Sequence, residues 1–265
     1  MIHGIVIPCY NESKRLKLQE FQRFIDRTDE YTLCFVNDGS SDNTYEMLRN
    51  FRRGQPHRVK ILDLEKNVGK AEAVKRGIQY MLDNSKVEDI GFMDADLSTD
   101  FRDYQVLVIN RMKHNLDMAF GSRKMSKSGI ERTWIRRLTS TIAYVLIQLV
   151  VRLPIHDTQC GAKVFKRSAA ELAFRQSFTT RWLFDVELFI RFKKIFGKKW
   201  VMDRLLEVPL MRWQEVEGSK LTLKDSLKIP AQLLQIIKVY SVMPYLRTIE
   251  QSLMISLGYR LSQGQ

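Results

Sequence analysis

From residue 1 to about 121, short and continuously apolar runs alternate with segments whose apolar residues recur every three or four positions. The runs are Ile5-Val6-Ile7, Leu33-Cys34-Phe35-Val36, Val59-Lys60-Ile61-Leu62, Ile90-Gly91-Phe92-Met93 and Met118-Ala119-Phe120. Several lack the apolar-polar alternation of a half-exposed strand, so they read as strands buried on both faces. The segments between them, roughly 16–28, 43–54, 70–84 and 103–114, have helical spacing, with Asp42 or Asn43 placed to cap the second and Glu46 near its first turn. This rhythm predicts an α/β fold: a Rossmann-like, mostly parallel central sheet flanked by helices. Such sheets bind ligands in a crevice at the carboxyl ends of their strands.

Past residue 122 the pattern changes. A loop carrying Arg123, Lys124, Lys127 and Arg132 precedes a predicted helix over 132–152, where Trp134, Leu138, Ile142, Val145 and Leu149 form an apolar stripe and Arg136 and Arg137 sit in the first turns. That profile suits either a core-facing helix or one lying in a membrane interface. A second amphipathic region, about 225–258, mixes Leu227, Ile229, Leu233, Leu234, Ile236 and Ile237 with Lys228 and Lys238, and Pro230 and Pro244 mark starts or breaks. The pattern therefore divides the chain into 1–121 and 122–221, expected to form one unit, followed by an amphipathic helical segment 222–265.

Charge adds a partner class. The 265 residues carry a formal net charge of +13, which calls for an anionic partner such as a phosphorylated substrate, anionic lipid or nucleic acid. No helix-turn-helix, zinc or RNA-binding signature accompanies the charge, which argues against nucleic acid. Cys9, Cys34 and Cys160 have neither disulfide-framework nor zinc spacing, and reduced thiols in a cytoplasmic setting are the simplest inference. The strand pattern begins within residues 1–8, leaving no room for a signal peptide, and no run of 18 apolar residues predicts a membrane span.

Candidate chemistry collects at the predicted strand ends: Tyr10-Asn11-Glu12, Asn37-Asp38-Gly39-Ser40-Ser41, Lys66-Asn67-Val68-Gly69-Lys70 and Asp94-Ala95-Asp96. In a regular strand Asp94 and Asp96 point the same way, and two hard carboxylate ligands suit Mg²⁺ or Mn²⁺. Taken alone, the pair reads first as a solvated turn of the kind aspartate favours, ahead of a metal site.

Together these loops resemble family 2 glycosyltransferases, inverting enzymes of the GT-A fold. The resemblance rests on Ile7-Pro8-Cys9-Tyr10-Asn11-Glu12, Val36-Asn37-Asp38-Gly39-Ser40-Ser41-Asp42-Asn43-Thr44, Asn67-Val68-Gly69-Lys70 and Asp94-Ala95-Asp96. It continues through Gly121-Ser122-Arg123, the stretch from Asp157 to Phe165, Phe184-Asp185-Val186-Glu187-Leu188, and Val208-Pro209 through Arg212 to Gly218-Ser219-Lys220. The longer pattern is similar to the branch that makes dolichyl- or polyprenyl-phosphate sugars, and the Asp157–Phe165 stretch is most similar to its glucosyltransferases.

The resemblance implies roles. Pro8, Tyr10, Glu12 and Asp38 would form the nucleoside pocket, Asn67, Gly69 and Lys70 would approach the diphosphate, Asp94 would face the sugar and ribose, and Asp96 would coordinate the metal with Asp94 beside it. Arg123, Arg212 and Lys220 match basic positions around the acceptor phosphate, and Asp157 and Asp185 are acceptor-side carboxylates that act as base or position other groups. Ser98 stands where the mannosyl branch commonly carries a metal-holding glutamine, which favours a UDP-sugar over a GDP-sugar donor. Many relatives have a transmembrane anchor that is not evident here, so peripheral contact with the cytoplasmic membrane face is expected. The expected activity is transfer of a hexose, glucose from UDP-glucose, to polyprenyl phosphate, with a saccharide or protein acceptor or a GDP-mannose donor as alternatives.

Overall fold

A computed structural model describes residues 1–125, 134–211 and 228–242; of residues 134–140 and 241–242 it describes the backbone alone. Arg212 and Lys220 lie outside the described residues, as do residues 243–265. The strands are β1 (His3–Cys9), β2 (Tyr31–Asp38), β3 (Val59–Leu64), β4 (Asp89–Phe92), β5 (Met118–Ser122), β6 (Lys163–Lys166) and β7 (Leu205–Pro209). The helices are α1 (Leu18–Arg27), α2 (Thr44–Gly54), α3 (Lys70–Asn84), α4 (Phe101–Lys113), α5 (Trp134–Val151), α6 (Arg167–Ala173), α7 (Phe184–Phe196), α8 (Lys198–Arg204) and α9 (Ile229–Val242).

These strands form one sheet in the order β3-β2-β1-β4-β6-β5-β7. All pairings are parallel except those of β6, which runs antiparallel to both β4 and β5. The apolar runs are strands because each buries both faces. Ile5 and Ile7 join Leu33, Phe35, Phe21, Tyr104 and Leu107 in one core. Val6 joins Cys34, Val36, Ile78, Phe92, Phe184 and Phe189 in the other. That alternation is the two-residue period of a strand sandwiched between helical layers. It makes the fold α/β with a mostly parallel sheet, as the sequence predicts. β1, β2 and β4 therefore end side by side, and their following loops meet above the sheet.

The described part of α5 departs from the simplest expectation. Ile147 and Val151 are its buried residues, while the stripe members Ile142, Val145 and Leu149 are 53%, 49% and 63% exposed. On α9, Leu233, Ile236 and Tyr240 face inward and Leu234 and Ile237 face out. The two helices pack against each other, so both leave apolar side chains on the surface. Among the described residues, no helix is long and apolar enough to cross a membrane. All three cysteines are buried free thiols.

Candidate active site

The strand-end loops enclose a cavity of about 880 Å³. Pro8, Tyr10, Glu12 and Arg15 line it from β1 and the turn that follows, Asp38 from β2, and Asn67, Gly69 and Lys70 from the start of α3. Asp94, Ala95 and Asp96 come from the loop after β4, Thr179 to Trp182 from the segment before α7, Lys228 from the turn before α9, and Gln232 and Gln235 from α9. Nine side chains singled out in the sequence, from Pro8 to Asp96, thus surround one space.

Asp38 is 3% exposed and organises the loop that enters α3. Its carboxylate accepts the Val68 N–H at 2.7 Å, the Gly69 N–H at 3.0 Å and the Asn67 side-chain amide at 3.0 Å. Burial raises its pKa, and the Val68 and Gly69 amides hold part of that rise back. Gly69 has φ +92°, a left-handed conformation that a side chain resists, and a Cβ there would lie 2.5 Å from Nε of Arg181. Around Glu12, the backbone is pinned by the Thr44 hydroxyl at 2.8 Å, and its carboxylate meets Arg15 at 3.1 Å. Asp42, one position before the N-cap Asn43, accepts the Thr44 N–H at 3.0 Å at the start of α2. Its slight burial favours the neutral form, but hydrogen bonds from Ser13 and Thr44 win and bring its pKa down to about 2.

Asp94 pairs with Lys70 at 2.5 Å. Its carboxylate rests on Gly161, where an added Cβ would fall 2.0 Å from an Asp94 oxygen. Asp96 accepts the Ser98 N–H at 2.9 Å, and its other oxygen lies 3.9 Å from Arg15. The backbone of Ser98, rather than its hydroxyl, is what orients the second aspartate.

Beyond this space lie two ion pairs. Arg123 grips Asp157 with Nε at 2.7 Å and a terminal nitrogen at 2.8 Å, and its own amide adds a bond at 3.0 Å. Glu207 fixes the Asp157 amide at 2.7 Å. Burial opposes ionisation of Asp157, and Arg123 overrides it, so the carboxyl titrates below the usual range. Asp185, at the start of α7, meets the fully buried Lys163 at 2.6 Å, and Lys163 also donates to the Cys160 carbonyl at 2.7 Å. Burial raises the Asp185 pKa despite Lys163 and Lys70. Arg123, Asp157 and Asp185 sit behind the lining of the cavity rather than on it.

The sequence model of glycosyl transferase family 2 matches residues 4–173. The chain belongs to glycosyl transferase family 2. It is 30% identical over 245 residues to a dolichyl-phosphate beta-glucosyltransferase of Trichomonas vaginalis, an alignment covering 88% of this chain and 72% of that protein. The human dolichyl-phosphate beta-glucosyltransferase is 31% identical over 238 residues, with 82% and 69% covered. Glucosyl-3-phosphoglycerate synthase from Mycobacterium tuberculosis, crystallised with Mn²⁺, UDP-glucose and phosphoglyceric acid, superposes with a TM-score of 0.65 at 17% identity, covering 89% and 80%. That likeness places this glycosyltransferase in the GT-A fold.

A divalent cation fits the acidic pair of this glycosyltransferase. Among the described residues, no group of three or more His, Cys, Asp or Glu could hold a metal. Asp94 and Asp96 offer two hard carboxylates, donors of the kind that suit Mg²⁺ or Mn²⁺. Asp94 already has an ammonium 2.5 Å away, whereas Arg15 stands 3.9 Å from Asp96.

Several lining residues have no counterpart in the sequence reading. Arg15 lies between Glu12 and Asp96, Arg181 donates to Asn67, and Trp182, Gln232 and Gln235 complete the walls. Arg181 and Trp182 directly precede the Phe184-Asp185-Val186-Glu187-Leu188 stretch, and that adjacency is the signal that would have brought them in.

Proposed function

We propose that this glycosyltransferase moves glucose from UDP-glucose to the phosphate of a polyprenyl or dolichyl lipid, with inversion, at the cytoplasmic face of a membrane. The observation that carries the reading is the make-up of the crevice. Its floor bears Asp38, Asp94 and Asp96, its walls bear Arg15, Lys70, Arg181 and Lys228, and its matched relatives are named for a dolichyl-phosphate acceptor. Two phosphorylated substrates brought together need both features: a carboxylate-held cation and a surround of positive side chains.

In this reading Pro8, Tyr10, Glu12 and Asp38 hold the nucleoside, while Asn67, Gly69 and Lys70 approach the diphosphate. Asp94 faces the sugar, and Asp96 with Asp94 would hold Mg²⁺ or Mn²⁺. When bound, the cation neutralises charge growing on the departing nucleoside diphosphate. A lipid monophosphate, with a second pKa of about 6, is already largely ionised at neutral pH, so transfer needs no general base. Asp157 and Asp185 fit that economy, because each is committed to a cation and aims Arg123 or Lys163 instead of a proton acceptor. Arg123, Arg212 and Lys220 would hold the acceptor phosphate. Residues 1–221 would form the catalytic unit, with a nucleotide half 1–121 and an acceptor half 122–221, and the amphipathic segment 222–265 lends Lys228, Gln232 and Gln235 to its cavity wall. The outward Ile142, Val145 and Leu149 of α5, with Leu234 and Ile237 of α9, offer an apolar face to the membrane surface, with Lys228 and Lys238 for anionic headgroups.

The test is a thermal-shift screen of nucleotide sugars with Mn²⁺, since a ligand that binds only the folded protein raises its Tm. UDP-glucose should give the largest rise, and a rise with GDP-mannose alone would overturn the donor assignment. Arg212→Ala and Lys220→Ala should impair transfer to lipid phosphate more than nucleotide binding. Glycosylation of a soluble saccharide without lipid would overturn the acceptor assignment.

A further inference from the structure

The segment Thr179–Trp182 is built to face the nucleotide loop. Its rear is anchored by Glu187, whose carboxylate accepts the Thr179 N–H at 2.9 Å and its hydroxyl at 3.2 Å. Glu187 is itself buried and fixed by Arg191 at 3.2 Å and by the Tyr240 hydroxyl, from α9, at 2.8 Å. The segment's front reaches the loop entering α3. The Ala71 N–H donates to the Arg181 carbonyl at 3.3 Å, and the Arg181 guanidinium donates to Oδ1 of Asn67 at 2.5 Å while packing over Gly69. Asn67 then passes the contact on: its amide nitrogen donates to Asp38 at 3.0 Å. A side-chain amide offers one acceptor and one donor end, so an arginine on the oxygen dictates which end meets the carboxylate.

We propose that Arg181 is a positioning residue that fixes the rotamer of Asn67 and thereby holds the Asp38–Val68–Gly69 clamp in the form that receives the donor's nucleotide. With the guanidinium in place, Asn67 has its nitrogen toward Asp38, and the backbone amides of Val68 and Gly69 stay on the same carboxylate. Without it, Oδ1 loses its tether and the Asn67 side chain is free to swing away from Asp38, which loosens residues 67–69. The role acts through Asn67 and so belongs to donor binding, separate from the acceptor phosphate. The inference rests on the nucleotide-sugar reading for its kinetic consequence but not for its structural one.

Two variants test it, Arg181→Ala and Arg181→Lys, on the full chain. Amide hydrogen exchange measured without any ligand should quicken at Val68 and Gly69 in Arg181→Ala, and the lysine, which keeps a charged donor, should recover much of the protection. The kinetics use whichever nucleotide sugar the wild type turns over. Arg181→Ala should raise the donor KM about tenfold, with kcat and the acceptor KM within about twofold, the size expected from one charge-assisted hydrogen bond. Unchanged exchange at Val68 and Gly69, a loss confined to kcat or to the acceptor KM, or no recovery in Arg181→Lys would overturn the proposal. Turnover of GDP-mannose in place of UDP-glucose would sink the donor assignment alone. A wild type that transfers no sugar would sink the proposed function, and the latch would then stand or fall on the exchange.

Discussion

Removing the ammonium of Lys163 should unfold this protein more than its position outside the cavity suggests. Lys163 is fully buried on β6, its nitrogen lies 2.6 Å from Asp185 and 2.7 Å from the Cys160 carbonyl, and Asp185 is itself 4% exposed. Lys163→Met keeps the length of the side chain and strands a buried carboxylate. Breaking a buried pair from one side costs about 3–5 kcal/mol. For a chain of this size that corresponds to a fall in Tm of about 6–20 °C. The loss should depend on pH with a definite sign. Burial already raises the Asp185 pKa from its ordinary 3.8, and removing Lys163 raises it further. The folded variant therefore binds a proton that the unfolded chain releases, so its stability falls as pH rises from about the ordinary value through the raised one. Lys163→Met/Asp185→Leu removes both charges and should return to within about 2 kcal/mol of wild type, because an apolar pair of similar volume commonly replaces a buried ion pair without loss. Urea unfolding at pH 5 and pH 8, followed by tryptophan fluorescence, measures all three proteins. A loss under about 1 kcal/mol in Lys163→Met, or a double variant no more stable than Lys163→Met, would refute the reasoning.

Asp96→Ala should lower metal-dependent transfer by about a hundredfold or more while leaving the far-ultraviolet circular dichroism unchanged, and near-normal turnover with Mn²⁺ would remove Asp96 from the metal site. Asp157 titrates below its ordinary 3.8 in the fold, so its pairing with Arg123 stabilises the protein above that pH and is lost as pH falls through the depressed value. Asp157→Asn should accordingly flatten the acid limb of a stability-against-pH curve. Gly69→Ala should weaken nucleoside diphosphate binding about tenfold or more by calorimetry, since the residue needs φ +92° and its Cβ would displace Arg181.

Residues 1–121 could be read in the sequence because their strands are buried twice over. A strand with Ile5 and Ile7 in one core and Val6 in the other must be apolar at every position, and such runs stand out against loops rich in Asp, Asn, Gly and Ser. Residues 122–221 carry no such signal. β6 is four residues long with lysine at both ends, and it is a strand only because β4 and β5 leave an antiparallel gap between them. α7 buries Phe184, Val186, Leu188, Phe189, Ile190 and Phe192, so apolar residues surround it and no stripe marks its period. On α5 the sequence stripe is real, but the described side chains of that stripe point outward, and periodicity cannot tell an inward from an outward face. The site divides the same way. Pro8, Glu12, Asp38, Lys70, Asp94 and Asp96 follow strand ends and could be placed from the chain alone. The Asn67–Arg181 contact joins residues 114 positions apart, and only the docking of α7 onto the sheet creates it.

The reading of the whole molecule as a lipid-phosphate glucosyltransferase turns on one product. Purified protein, Mg²⁺ or Mn²⁺, UDP-glucose labelled in the sugar and polyprenyl phosphate in vesicles should yield a labelled, chloroform-extractable glucosyl lipid, and omitting either the cation or the lipid phosphate should abolish it. Label that stays in the aqueous phase with every common UDP- and GDP-sugar, or that passes to a soluble saccharide without lipid, would contradict the account.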